Sequence, residues 1–505
     1  MTSDDGSRDT VRRLVATGTV IFLPNHRAYA DPLFLRRVLR RWELPRNIWF
    51  AGDNLNDLPL ISLLARMAGV VFLRRAVSGY DQTYRVALRL YFAHLLAGGR
   101  PLEWYLEGSR SRNGLPRPPK YGLLECLLEV ARQTPGRPIW VVPVSLTHEP
   151  LPGAGALADE EKGAPKHREN VRWALRYLRE QRRCHGIVRV RFGAPLRAAD
   201  YLVSSSGRSG AAALGRDVQR AITQATPLTP LSLTAFALLD SRGGHTAGDV
   251  RRTLSPLLDA VERWDVPRAA LVALRTPEGV REQLRLLCAA GGATEVVGAE
   301  KPSFSARPLL TRMYQNQCVH WFWPRAAAEV VALRACDSPG PTPWRSVLHD
   351  LRSILRLVSC GTGTETAPLL LDMAVAEFRH LTGPALQDGR ARDVRKVITS
   401  SGLVIAPQTL RTGALSILAV LHQTRPLPDS TGLVAEIEAL TTAGSVVVTP
   451  QTRADILLDM RRQGLRNPMA IRASKQCALA LLADVERLRR LRDLMLLEGH
   501  CDVSG

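Results

Sequence analysis

The sequence predicts an α/β fold, a largely parallel sheet flanked by helices, followed by a mainly helical C-terminal domain. Three observations carry that reading. Short apolar runs alternate with helical patterns through the first two hundred residues, the arrangement that builds a parallel sheet with crossover helices. A polar stretch, Ser204-Ser205-Ser206-Gly207-Arg208-Ser209-Gly210, then reads as a linker. Beyond it, apolar residues recur mainly at helical spacing. A chain of 505 residues is too long for one ordinary core, so the domains are drawn as 1–203 and 211–505.

The strands are expected at Thr19–Leu23, Asn47–Phe50, Val70–Leu73, Leu102–Leu106, Ile139–Val144 and Ile187–Phe192. Helical patterns fall between them at about 32–42, 58–68, 82–98, 121–133 and 167–183. In such a sheet ligands bind beyond the carboxyl ends of the strands, so the chemistry is sought in the turns that follow them. After the linker, helices are expected at about 211–224, 229–239, 247–263, 277–290, 306–334, 344–358, 366–382, 411–421 and 470–497. On the last of these, Leu481, Val485, Leu488, Leu491 and Met495 share one face, which reads as a packing face.

Apolar residues make up 45% and charged residues 23%, ordinary for a globular protein, so disorder does not explain the chain. The charge is less ordinary. The formal net charge is +21, and the first 200 residues hold 32 Lys and Arg against 19 Asp and Glu. Such a surface attracts nucleic acid, anionic membrane or phosphorylated and acidic partners. The eight cysteines stand far apart, with neither CxxC nor zinc-ligand spacing, so no metal site and no disulfide framework is expected. The first residues lack a secretion-signal pattern, and no run approaches the ~18 apolar residues that span a bilayer. The expected location is cytoplasmic, peripheral on the inner face of the cell membrane.

Four blocks carry chemistry. In Asn25-His26-Arg27-Ala28-Tyr29-Ala30-Asp31-Pro32, a histidine and an aspartate five apart would diverge on a helix. A strand ends just before them, and Asp31-Pro32 has the form of a helix start, so the chain bends and the two side chains can meet. A neutral imidazole oriented by a carboxylate can deprotonate an alcohol near neutral pH. Gly69-Val70-Val71-Phe72-Leu73-Arg74-Arg75 delivers two guanidiniums at the end of a strand. Tyr105-Leu106-Glu107-Gly108-Ser109-Arg110-Ser111-Arg112, with Lys120 close behind, offers forked cations and backbone N–H groups suited to a phosphate monoester. Val141-Val142-Pro143-Val144-Ser145-Leu146-Thr147-His148-Glu149 is a strand whose proline disfavours a fully paired central position.

The order and content of these blocks resemble the glycerol-3-phosphate and dihydroxyacetone-phosphate acyltransferase family. Its motifs run H-x4-D, G-x-x-F-x-R-R, F-x-E-G-[TS]-R-S-R and a V-P-V strand, and all four occur here in order within about 125 residues. Thr234–Leu239 and Tyr314-Gln315-Asn316-Gln317-Cys318-Val319-His320 are similar to two further segments of the larger bacterial and mitochondrial members. Departures are Tyr105 for Phe, Ala28 for a frequent Ser, Ser109 for the usual Thr, Pro32 after the motif aspartate, and His148 where members often have an aromatic residue. His26 lies near the start, so the likeness does not include the long N-terminal region of the largest members.

The resemblance implies His26 as general base and Asp31 as its orienting partner. It places Arg74, Glu107, Gly108, Ser109 and Arg110 on the acceptor's glycerol phosphate, with Arg75, Arg112 and Lys120 as helpers, and Pro143 on the acyl-donor side. The implied reaction moves a fatty acyl group from a thioester to the sn-1 hydroxyl of glycerol 3-phosphate, giving lysophosphatidate for phospholipid biosynthesis. The donor is acyl-coenzyme A or an acyl-carrier protein, used as substrate, and no cofactor is expected. No G-x-S-x-G elbow occurs, so direct attack without an acyl-enzyme is expected. Dihydroxyacetone phosphate and lysophosphatidate are the alternative acceptors. Outside the enzyme class, the alternative is a non-catalytic protein binding an anionic membrane or another polyanion. No helix-turn-helix, zinc finger or aromatic-basic stacking motif points to nucleic acid.

Arg168, Arg172, Arg176, Arg179 and Arg183 recur at helical spacing as a basic stripe, with Val171, Ala174, Leu175 and Leu178 on another face. An anionic membrane surface, an acidic carrier protein or plain solvent could face it. Apolar helices near Leu415–Leu421 and Leu481–Leu497 stand behind it as further membrane contacts. Binding to vesicles is expected to need anionic lipid and to weaken at high salt, where the Debye length falls from ~8 Å at 0.15 M to ~3 Å at 1 M. It should weaken again when Arg172, Arg176 and Arg179 become Glu. Vesicle sedimentation checks this, and salt-resistant binding to neutral lipid would contradict it.

Overall fold

A computed structural model describes residues 2–3, 5–52, 63, 66–67, 69–74, 82–133, 136–161, 164, 186–202, 207–239, 245–296, 302–338, 342–359, 368–387 and 468–501, with positions 404–407, 409–410, 414–415, 417–418, 420 and 456–457. Arg75, most of the helix expected at 58–68 and the whole Arg168–Arg183 stripe lie outside the described residues. The chain divides into two compact units. One comprises Met1–Arg112, Pro119–Leu157 and Pro165–Pro227; the other comprises Asn113–Pro118, Ala158–Ala164 and Leu228–Gly505.

The first unit is built on eight strands: β1 (Thr2–Ser3), β2 (Thr19–Pro24), β3 (Ile48–Gly52), β4 (Val70–Leu73), β5 (Leu102–Glu103), β6 (Ile139–Glu149), β7 (Ile187–Phe192) and β8 (Leu196–Arg197). They are ordered β1-β7-β6-β2-β5-β3-β4, with β8 also on β6. The run from β6 through β2, β5 and β3 to β4 is parallel, whereas β7 and β8 lie antiparallel to β6. This is the largely parallel sheet that the strand and helix alternation implies.

Central parallel strands are covered on both faces and read as unbroken apolar runs. All six residues of β2 are buried. Successive side chains alternate between faces, so β2 feeds two cores. Val20 and Phe22 pack with Val11 and Val15 of α1 (Arg8–Thr17) and with Leu35, Val38 and Leu39 of α2 (Asp31–Arg41). Ile21 and Leu23 pack with α3 (Gln82–Ala97), α4 (Gly122–Gln133) and α5 (Gly207–Ala225), through Phe92, Leu95, Leu127, Leu214 and Val218. Burying a side chain of this size stabilises by ~1.5–3 kcal/mol.

Two local expectations need correction here, and a third, the proline that disfavours full pairing, is met by a change of neighbours. The expected linker is helical from Gly207, because Ala211, Leu214 and Val218 have a core to join. The strand expected at Leu102–Leu106 ends its ladder at Glu103, after which Trp104 N–H still reaches Phe22 O (3.3 Å) and the chain turns. Pro143 sits inside a strand paired on both sides. Its carbonyl accepts from Gly193 N–H (2.9 Å), so its nitrogen faces the same edge. There, pairing with β8 ends at Val141 and pairing with β7 begins at Val144. The missing N–H falls in that break in the ladder.

The second unit is mainly helical: α6 (Pro230–Leu239), α7 (Ala247–Arg263), α8 (Pro277–Ala289), α9 (Pro308–Asn316), α10 (Trp323–Asp337), α11 (Trp344–Val358), α12 (Pro368–Gln387) and α13 (Pro468–Cys501). A small antiparallel sheet, β10-β11-β9, joins them, from Ala293–Val296, Ser303–Ala306 and His245–Thr246. The single helix expected at 306–334 is broken by a 3-10 turn at Val319–Trp321, and Pro324 sits in the first turn of the new helix, where its missing N–H costs nothing. Asn113–Pro118 belongs to this unit: the Asn316 amide donates to Asn113 O (2.8 Å), and a Cβ on Gly114 (φ +85°) would lie 2.2 Å from Met313 O. Leu415, Ile417, Leu418, Val420, Leu481, Val485 and Leu488 are buried, so these residues pack in a core and do not offer themselves to a bilayer.

The first turn of α10 carries a buried charge. Arg325 bonds Glu329 (2.8 Å) and Glu377 of α12 (3.0 Å). Glu377 also accepts from Trp264 Nε1 (3.0 Å), and Glu329 from the N–H groups of Ile405 and Ala406 (both 2.9 Å). Removing the cation would strand two buried carboxylates. Arg325→Leu is expected to lower stability by ~3–5 kcal/mol, measured by urea unfolding; an unchanged midpoint would contradict the pairing.

Candidate active site

The site grows from the turn between β2 and α2. Beyond Pro24 the Asn25 side chain takes over the pairing with β6, accepting from Leu146 N–H (2.7 Å) and donating to Leu146 O (3.2 Å). The chain then bends back and Asp31 opens α2 with Pro32 in its first turn. The carboxylate of Asp31 is fully buried and folds back over the turn, where Oδ2 accepts from Arg27 N (2.6 Å) and Ala28 N (2.8 Å). His26 Nδ1 meets the same oxygen at 3.0 Å. A carboxylate only accepts, so Nδ1 carries the hydrogen and Nε2 becomes the basic nitrogen.

His26 is pinned on other sides as well. Its N–H donates to Glu107 Oε1 (3.3 Å), its carbonyl accepts from Ser111 N–H (2.9 Å), and its ring lies on that of Tyr105 with centroids 4.2 Å apart. Glu107 thus fixes the histidine turn from the neighbouring strand's exit. Arg27, nearly without exposure, lies under the charges of Glu107 and Asp31; burial lowers its pKa and those two carboxylates oppose the shift.

Gly108 (φ +68°) takes the left-handed turn after Glu107, where a Cβ would press within 3.1 Å of Lys120 Cγ. Lys120 N–H returns to Leu106 O (2.7 Å), which closes the loop. Arg110 stacks on Tyr29, 3.8 Å from the ring centroid, and donates to the phenol oxygen (2.9 Å). Ser109, Arg110 and Arg112 are half-buried and Lys120 is exposed. The structure therefore brings His26, Asp31, Glu107, Gly108, Ser109, Arg110, Arg112 and Lys120 to the adjacent ends of β2 and β5. Pro143 pairs with Leu23 on the other side of β2. Arg74 stands apart, exposed at the end of the edge strand β4, its N–H on Tyr84 OH (3.2 Å). Three strand spacings separate β4 from β2, ~14 Å.

Three participants were not foreseen. Arg27 is one. His148 on β6 is the second, with Nε2 2.7 Å from Asp31 Oδ1 and no side-chain exposure. Burial pushes the Asp31 carboxyl up, but hydrogen bonds from His148 and His26 and their charges outweigh it, and the group ends far below the usual carboxylate range. The third is Glu103, buried on β5, which accepts from Tyr105 OH (2.9 Å) and from the Asn47 amide. Burial pushes Glu103 up to about 8, against the Tyr105 bond and with help from the charge of Asp31. The buried Asn47 side-chain oxygen has no hydrogen-bond partner, and a protonated Glu103 would donate to it after an amide flip. Among the described residues no cluster of three or more His, Cys, Asp or Glu could hold a metal ion.

Residues 7–147 match the profile of the acyltransferase family, and residues 158–359 match that of the glycerol-3-phosphate acyltransferase C-terminal region. The chain is 28% identical over 430 residues to a protein of Mycobacterium tuberculosis and Mycobacterium bovis named as the acyltransferase plsB1, across 81% of this chain and 67% of that one. It is 31% identical over 303 residues to the glycerol-3-phosphate acyltransferase of Xylella fastidiosa, across 55% of this chain. That alignment spans 34% of the Xylella protein's length. A mostly parallel sheet with this histidine turn, matched by the first profile, defines an acyltransferase. Over these residues the chain is similar to the glycerol-3-phosphate acyltransferase family.

Glu103 supplies a pH test. A carboxyl whose folded pKa is raised contributes stability below its unfolded pKa of ~4.3 and loses it as pH rises toward about 8. Glu103→Gln removes that loss. The variant is expected to melt above the parent at pH 8.5, with the gap closing by pH 5; calorimetry checks it, and identical melting at both pH values would contradict a neutral Glu103.

Proposed function

We propose that the chain transfers a fatty acyl group from an acyl thioester to the sn-1 hydroxyl of glycerol 3-phosphate, with His26 as general base. The observation that carries this is the 3.0 Å pairing of His26 Nδ1 with a buried, four-donor carboxylate, beside a loop rich in arginine. Nε2 of His26 removes the hydroxyl proton as that oxygen attacks the thioester carbonyl. The tetrahedral oxyanion collapses, the C–S bond breaks, and the imidazolium returns its proton to the departing thiolate. Base catalysis of this kind is worth ~10²–10⁴-fold.

Arg110, Ser109 and the Gly108 turn suit the phosphate of the acceptor, with Arg112 and Lys120 flanking them. Arg74, exposed on the edge strand three strands away, suits the far side of an acceptor or the donor's own phosphates. Pro143, beside Leu23, lies on the side left for the acyl donor, coenzyme A or carrier protein. The Xylella relative is named for glycerol 3-phosphate, which supports that acceptor over dihydroxyacetone phosphate and lysophosphatidate. No helix among the described residues is long and apolar enough to cross a membrane, and the net charge of +21 favours peripheral attachment to anionic lipid.

The test is acyl transfer by the purified protein with each acceptor and both donor types. His26→Ala is expected to lower kcat by at least ~10²-fold while the fold persists. Arg110→Ala is expected to raise the acceptor KM by ~10-fold or more, the loss of a charge-assisted bond of ~1.5–3 kcal/mol. Near-normal turnover by His26→Ala would remove the base assignment. Impaired donor binding with unchanged acceptor KM in Arg110→Ala would reverse the substrate geometry.

A further inference from the structure

Asp31 holds an imidazole on each oxygen. His26 Nδ1 lies on Oδ2 (3.0 Å), and His148 Nε2 lies on Oδ1 (2.7 Å), 117 residues along the chain. The shorter contact is thus made by the histidine whose side chain has no exposure. We propose that His148 is a positioning residue of the acyl transfer, locking the Asp31 carboxylate in place and sharing its charge with His26. The proposal rests on the reading of His26 as the base.

The argument is electrostatic and geometric. A buried carboxylate needs donors on both oxygens, and Oδ2 already takes His26 and the N–H groups of Arg27 and Ala28. His148 reaches Oδ1 from a different element, the central strand β6, so the carboxylate is fixed from the sheet as well as from its own turn. The ring of His148 is itself held edge-on by Phe34 of α2, with centroids 5.7 Å apart. A donor on Oδ1 draws negative charge away from Oδ2 and turns a positive N–H dipole toward His26. Both effects make a protonated His26 less favourable, and so keep more of it in the basic form near neutral pH. The other ionisable groups around Asp31 are Arg27 on its turn, Glu103 on β5, and Tyr105 and Glu107 on the loop after β5. None of them is changed by the substitutions below.

His148→Gln keeps an N–H at the position of Nε2 and removes the imidazole. His148→Phe keeps the aromatic shape against Phe34 and removes the donor. Asp31 retains at least three donors in either variant, so it stays ionised. With isotopically labelled histidine, nuclear magnetic resonance reads the titration of the His26 ring directly, assigned by its loss in His26→Ala. The expected result is an upward shift of His26 by about one pH unit in His148→Phe and little shift in His148→Gln. The acid limb of kcat/KM should follow, with kcat lowered about tenfold in the phenylalanine variant and restored in the glutamine variant, and melting curves confirming the fold. The same His26 titration in all three proteins would overturn the proposal. So would a glutamine variant displaced as far as the phenylalanine one. If the parent protein transfers no acyl group, the proposed function fails, while the titration still decides whether His148 acts on His26.

Discussion

A charge without solvent contact survives only if the surrounding chain supplies its hydrogen bonds, and the geometry of this protein follows from that requirement at Asp31. Four donors converge on the carboxylate: two backbone N–H groups of its own turn and two imidazoles. The backbone pair forces the chain to fold over the side chain, which places His26 in the turn and not on the helix. The His148 contact needs β6 in register beside β2, which the six-residue parallel ladder from Thr19 to Pro24 provides. Asn25 extends that register by one side chain past the proline that ends the strand. Sheet, turn and helix start are thus one cooperative arrangement around one anion.

The second anchoring system approaches His26 from the other neighbour of β2. Glu107 takes the histidine's backbone N–H, Tyr105 carries its ring, and Ser111 holds its carbonyl. Because β5 has a ladder of only two residues, its exit loop begins deep and comes close to the histidine turn. Left-handed Gly108 makes the reversal possible. The cationic side chains that follow stand on a loop whose two ends are both hydrogen-bonded, so they are presented from a fixed base.

Much of this was legible in the sequence, for physical reasons that can be named. The β2 run of Thr, Val, Ile, Phe and Leu reads as a strand and Asp-Pro after it as a helix start, so the spacing allowed His26 and Asp31 to meet. Taken alone, it favoured a loop histidine beside a helix-capping aspartate. The four ordered motifs then gave the family. His148 was legible as an oddity in a position often aromatic, but its partner lies 117 residues away, and only the register of β6 on β2 brings the two together. Glu103 gave a quieter signal, a carboxylate inside the apolar run Leu-Glu-Trp-Tyr-Leu, which implies a buried acid with a private partner. Pro143 marked a position that is not fully paired, but local sequence does not say that the strand changes neighbours there. The split of α9 from α10 was missed because apolar spacing continues through the 3-10 turn that separates them.

The assignment of Asn113–Pro118 to the helical unit bears on how such a chain can be assembled. In sequence these residues follow Arg112 directly, yet their backbone is held by Asn316 and their glycine fits only against Met313 O. A gene fusion that joined two ready-made modules would leave one crossing between them; here the chain crosses repeatedly. No single cut separates the two units: a fragment ending at Pro227 keeps Asn113 and loses its amide donor, and one starting at Leu228 keeps Asn316 and loses its acceptor. Recombination that swapped either half for a distant counterpart would have to carry both sides of that bond. The two halves are therefore expected to be inherited together.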